Sequence, residues 1–200
     1  MAKSVTYFLT PQSPWAYLGH ERLVALAKAQ GAAIDIRPFD LGRVFSVSGG
    51  LPLSKRAPQR QSYRLLEMAR WAEHLGLPMN VQPKFFPVSP DMAANLIIAA
   101  RTSLGADVAL DLAGAIMRAL WAEEKNIADE DTLAQIADLI GLDGRMLLRS
   151  AATPGVQEQF DRNTDEAIAA NVFGAPWYVV DGEAFWGQDR LDFVERALSK

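Results

Sequence analysis

Three features of the sequence predict an α/β fold in which a β-α-β unit and a β-β-α unit enclose a long block of helices. An apolar run, Val5 to Leu9, leads into a helical pattern and then into a second alternating run at Ile34-Asp35-Ile36-Arg37-Pro38. From Gln59 to about residue 170 the periodic segments repeat at helical spacing. Near the end, Trp177-Tyr178-Val179-Val180 and Glu183-Ala184-Phe185-Trp186 flank Asp181-Gly182, the signal of a hairpin with a tight turn.

Each element has a local reason. Ser13 is a good N-cap and Pro14 a good first residue for a helix that places Ala16, Gly19, Leu23, Leu26 and Ala27 on one face. At that point Ser13 faces free backbone N–H groups and the positive end of the helix dipole, so it can assist an anion or simply cap the helix. Gly31 stops the pattern, and the two strands it separates make a parallel pair. Leu41 to Pro58 reads as a loop because Gly42, Gly49, Gly50, Pro52 and Pro58 interrupt it. A first inserted helix carries Leu65, Met68, Ala69, Ala72 and Leu75 and stops at Gly76 and Pro78. Ser89-Pro90-Asp91 starts a second, ending before Gly105, and Leu112, Ile116 and Leu120 mark a third. Asp129 or Asp131 caps a fourth with Leu133, Ile136 and Ile140 inside, and Thr153-Pro154 opens one through Phe160, Ala167 and Ile168. Trp71 and Trp121 read as core or interface aromatics. Asp189 is the expected cap of a terminal helix that turns Leu191, Val194 and Leu198 inward.

Composition narrows the function. The 200 residues are 50% hydrophobic and 22% charged, enough for a packed core. A net charge of −4 and a pI near 5.2 argue against a nucleic-acid surface but not against a small anion. No long apolar run and no export signal is read, so neither a membrane partner nor a metal is expected, and the expected location is cytoplasmic. With no cysteine, disulfide exchange by the chain's own side chains is excluded.

Three segments in order, Ser13-Pro14-Trp15-Ala16-Tyr17-Leu18, Phe173-Gly174-Ala175-Pro176 and Phe185-Trp186-Gly187-Gln188-Asp189-Arg190-Leu191, carry a resemblance, joined by Arg70-Trp71-Ala72. Together they are similar to the bacterial 2-hydroxychromene-2-carboxylate isomerases, relatives of the kappa-class glutathione transferases. The resemblance implies a thioredoxin-like domain with a large all-helical insertion, with residues 1–40 and 172–200 forming the first and 41–171 the second. Ser13 stands where thioredoxin-like folds place the first cysteine of a Cys-Pro-x-Cys motif, and Ala16 where they place the second. Pro176 falls where those folds carry a cis proline.

The resemblance also implies glutathione as cofactor. Ser13 would hydrogen-bond its thiolate, Ala175 (beside Pro176) would pair with its cysteinyl backbone, and Gln188 and Asp189 would meet its γ-glutamyl end. The implied reaction converts 2-hydroxychromene-2-carboxylate to trans-o-hydroxybenzylidenepyruvate through transient addition of the thiolate. A planar aromatic carboxylate needs apolar walls and a cation, for which Trp15 and Phe45, and Lys55, Arg56 or Arg43, are the candidates. Phe45 stands where some members carry a lysine, and Lys55 where an asparagine is usual. A kappa-type transferase conjugating glutathione to electrophiles and a non-catalytic thioredoxin-like binding module are the alternatives. A homodimer is expected by analogy with the family.

Overall fold

The computed structural model describes residues 3–200, so the first two residues of the expected 1–40 segment lie outside the described residues. Strand β1 (Ser4–Leu9) pairs in parallel with β2 (Ala33–Pro38), and helix α1 (Pro14–Ala29) makes the crossover. On its other side β1 pairs antiparallel with β3 (Trp177–Val180), which pairs antiparallel with β4 (Glu183–Trp186). The sheet order is therefore β2-β1-β3-β4, with the first strand of the chain near its centre. Asp181 and Gly182 both take positive φ, 47° and 82°, which is the geometry a two-residue hairpin turn demands.

Helices cover both faces of the sheet. Alternation along β1 sends Val5, Tyr7 and Leu9 into the large core and Phe8 into a smaller one. The large core is shared with α1, α4 (Asp91–Leu104) and α5 (Ala106–Trp121). The smaller one holds Phe39, Val44 of α2 (Leu41–Ser48), Ala167 of α8 (Pro154–Ala169), and Ala175 and Trp177. Helices α3 (Pro58–Leu75), α6 (Glu130–Leu139) and α7 (Gly144–Ala151) add Met68, Leu133 and Leu147 to the large core, and α9 (Leu191–Leu198) closes the chain with Leu191, Val194 and Leu198 buried. The fold is thus a thioredoxin-like sheet with a helical insertion. Among the described residues no helix is long and apolar enough to cross a membrane.

Several local expectations change. The segment after Asp40 is not all loop. The Asp40 carboxylate accepts from the N–H groups of Gly42 and Arg43 and so starts α2, and Gly49, at φ 77°, ends it. A short 3-10 turn, Leu53–Lys55, follows. Asp129 rather than Asp131 caps α6, while Ile140 falls beyond the helix and is 39% exposed. Helix α7 went unread because it is short and opens on glycine, whose lack of a side chain lets it sit against the backbone of Ala134. Asp189 does not cap the last helix. It lies in a 3-10 turn, Gln188–Arg190, and its carboxylate pairs with Arg190 at 2.7 Å.

Beneath α1 lies a buried polar row. His20 donates from Nε2 to the carbonyl of Leu110, 3.0 Å away, because a carbonyl can only accept. Its Nδ1 then accepts the Tyr7 hydroxyl at 3.5 Å, and the Tyr7 and Tyr178 rings stack at 5.4 Å. Burial pushes the His20 pKa down to about 4, against smaller upward effects of the Leu110 carbonyl and Asp111. Burial likewise raises both tyrosines. The row ties the sheet to α5 in the helical block through uncharged groups.

Candidate active site

The turn after β1 delivers Ser13 to the start of α1. Its N–H donates to the carbonyl of Thr10 at 2.9 Å, its Oγ accepts from Ala16 N–H at 3.2 Å, and its hydroxyl donates to the carbonyl of Ala175 at 3.2 Å. Ser13 is therefore a cap and something more, since its one proton crosses to a residue 162 positions away. The peptide between Ala175 and Pro176 is cis. The Pro176 carbonyl accepts from Gly187 N–H at 3.0 Å, which binds this turn to the end of β4. Ser13 is 6% exposed and lies behind Ala175, which faces the adjoining cleft.

That cleft, of about 530 Å³, runs between the start of α1, the loop from Trp186 to Arg190, and α3. On the first side stand Trp15, Ala175 and Trp186. Gly174 supports Trp186 closely: a Cβ there would come within 2.5 Å of the indole Nε1, so only glycine leaves the ring its place. Phe173 packs edge-on against both Trp186 and Trp177, with centroids 4.8 Å apart in each case. Gln188 lines the cleft but is itself buried, with Arg22 Nη1 donating to its Oε1 at 2.7 Å.

The opposite side is α3 and the residues just before it, with Arg56, Arg60, Tyr63, Arg64, Glu67 and Trp71 facing the cleft. Arg64 lies over the rings of Phe86, at 5.0 Å, and Trp121, at 5.8 Å. Its pKa is pushed down to about 10, first by burial and then by the charge of Arg56. Arg56 is lowered in turn by burial and by Arg60. Three guanidiniums thus repel one another across an aromatic-walled space.

Of the residues read from the sequence, Trp15, Arg56, Ala175, Gln188 and Asp189 meet at this cleft, with Ser13 and Pro176 directly behind it. The other candidates lie elsewhere. Arg43 points to α8, where Asp161, at 3.3 Å, and Asp165, at 2.7 Å, neutralise it. Phe45 lies beneath Arg56, its ring 6.0 Å from the guanidinium carbon, and stays outside the lining. Lys55 is exposed on its 3-10 turn. Trp121 is fully buried, whereas Trp71 is a cleft residue and not a core one. Sequence reasoning missed Arg60, Arg64, Tyr63 and Trp186. The four-residue spacing of Arg56, Arg60 and Arg64 was the available signal.

Comparison with known proteins bears on the fold and the family. The 2-hydroxychromene-2-carboxylate isomerase of Sphingobium xenophagum is 28% identical over 199 residues, covering 99% of each chain. Glutathione S-transferase kappa 2 of Caenorhabditis elegans is 27% identical, covering 99% of this chain and 92% of its own. A solved structure of 2-hydroxychromene-2-carboxylate isomerase superposes with a TM-score of 0.83 at 26% identity, covering 98% of this chain and 94% of that one. The chain belongs to the DSBA-like thioredoxin domain family, which its sequence matches from residue 4 to residue 199.

Proposed function

We propose that the protein is a glutathione-dependent isomerase acting on 2-hydroxychromene-2-carboxylate or a related intermediate of naphthalene-type aromatic breakdown. The observation that carries this reading is the Ser13 hydroxyl. It sits at the N-terminus of α1, 3.2 Å from the Ala175 carbonyl, behind a cleft lined with aromatic rings and unpaired guanidiniums, in a chain with no cysteine. Likeness along nearly the whole chain to proteins named as that isomerase supports it.

The residues present fit glutathione. A tripeptide with two carboxylates needs cations, and Arg56 and Arg60 supply them at the cleft. The backbone of Ala175 can pair with an extended peptide as strands do, and the turn at Gln188 and Asp189 faces the same space. When bound, glutathione supplies a nucleophilic sulfur that the chain itself lacks. The task of Ser13 is to turn its proton from the Ala175 carbonyl toward that sulfur and, with the dipole of α1, to favour the ionised form. Trp15, Trp71 and Trp186 exclude water and flank a flat substrate.

Calorimetric titration with glutathione tests the reading directly: saturable binding is expected, and no binding at millimolar glutathione would refute it. The same geometry serves a kappa-type transferase, which steady consumption of thiol during turnover would reveal. The proposal includes a homodimer in the cytoplasm. Val47, Leu51 and Leu66, on α2, α3 and the segment between them, are exposed hydrophobic residues that a partner copy could cover, and light scattering should give twice the 21.9 kDa of one chain.

A further inference from the structure

The charges lining the cleft do not balance. Arg56, Arg60, Arg64 and Arg190 face only two carboxylates, Glu67 and Asp189. Both carboxylates are engaged: Asp189 with Arg190 at 2.7 Å, and Glu67 with the Tyr63 hydroxyl at 2.8 Å and Arg70 at 3.7 Å. Among the described residues neither Arg60 nor Arg64 has an ion-pair partner. The protein as a whole is acidic, so this excess of positive charge is local.

Among the described residues Arg56 also lacks an ion pair, its Nε donating to the Leu51 carbonyl at 2.9 Å, and the remaining two differ from each other. Arg60 is exposed. Arg64 is partly buried and its guanidinium carbon lies over Phe86 and Trp121, the latter fully buried. A partly buried cation without a partner is costly unless a ligand completes it. A guanidinium packed on aromatic rings suits a carboxylate, which it can bind through two parallel N–H donors. Its neighbours in the lining include Trp71 and, from the α1 side, Trp15, which suit a flat ring.

We propose that Arg64 is the specificity-determining residue that receives the carboxylate of a planar aromatic substrate, leaving Arg56 and Arg60 to the carboxylates of glutathione. The proposal rests on the isomerase reading for the identity of the second ligand, but not for the chemistry of the subsite. It displaces Lys55, which is exposed, and Arg43, which two aspartates neutralise.

The test uses the full chain with trans-cinnamate and its neutral counterpart cinnamamide as probes. Binding is followed by the emission of the cleft tryptophans and checked by calorimetry. Wild type is expected to prefer the acid by about 10-fold or more, and Arg64→Met to lower that preference below about 2-fold. Arg60→Met should keep most of the preference. Glutathione affinity in Arg64→Met should stay within about 2-fold of wild type. Because Arg64 also packs on two rings, Arg64→Lys provides a second route if the methionine variant fails to fold. It keeps the charge but loses the planar fork, and should cut the preference by about 3-fold. The assignment is overturned if wild type shows no preference, if either Arg64 variant retains it in full, or if Arg64→Met loses glutathione as severely as cinnamate. A wild type that prefers cinnamate yet binds no glutathione refutes the isomerase reading and leaves the Arg64 subsite standing.

Discussion

The two sides of the cleft are built in opposite ways. On the side of α1 and the β3–β4 hairpin, polar groups are committed within the protein. Ser13 bonds to Ala16 and Ala175, Gly187 to the Pro176 carbonyl, and Gln188 to Arg22. On the α3 side the principal groups are guanidiniums that repel one another and lean on aromatic rings. A surface whose own bonds are complete presents one fixed shape, which suits a constant ligand read through its backbone. A surface with surplus charge is completed only by what binds, which suits the anionic groups of a ligand. Preorganisation is concentrated where the chemistry needs it, and adaptability lies opposite.

Ser13→Ala probes the fixed side most severely. Removing a donor aimed at developing negative charge typically costs about 10²–10³-fold in turnover, whereas losing a helix cap costs about 1 kcal/mol. Turnover of 2-hydroxychromene-2-carboxylate at saturating glutathione should therefore collapse while the urea midpoint falls only modestly. A turnover near wild type would make this side structural alone and erase the contrast.

The buried row under α1 gives the next largest effect. His20 is held neutral with a pKa of about 4, below the ordinary value near 6.5. The unfolded chain then binds the extra proton first. Stability is fully present above pH 6.5 and is lost as pH falls toward 4, by up to about 3 kcal/mol from this residue. Urea unfolding at pH 7 and pH 4.5 should show a steeper loss in wild type than in His20→Gln. Equal losses in the two proteins would mean that the row does not anchor the fixed side.

Lys55→Met sharpens the other side with the smallest effect. An exposed lysine outside the lining should change substrate KM by less than about 2-fold. A 10-fold rise would mean that the charged side extends beyond α3 to the 3-10 turn.

Much of this was legible because it depends on local chemistry. Asp181-Gly182 dictated the hairpin, Ser13-Pro14 the start of α1, and Gly76 and Gly105 the helix ends, each through backbone preferences that need no tertiary context. Helix α2 was hidden because its four flanking glycines and prolines outweighed a single capping aspartate, Asp40. The cleft cations were hidden for a different reason. Arg43, Lys55 and Arg64 are alike as residue types, and only packing decides that the first meets two aspartates, the second meets water and the third meets a pair of rings. Trp71 and Trp121 diverged in the same way, since periodicity marks a helix face but not what lies across from it.

The sheet order has a consequence for how the chain is made. Strand β1 stands between β2 and β3, yet residues 10–176 must be synthesised before β3 exists. At ordinary ribosomal speeds that interval is on the order of ten to thirty seconds. During it one edge of β1, with Tyr7, Phe8 and Leu9 beside it, has no strand to close it, and such an edge invites pairing with another chain. The hydrogen bond from Ser13 to Ala175 waits just as long, so no nascent fragment ending short of the hairpin carries the site. Truncations that end before Trp177 should therefore yield aggregates held by that open edge, and not partly active enzyme.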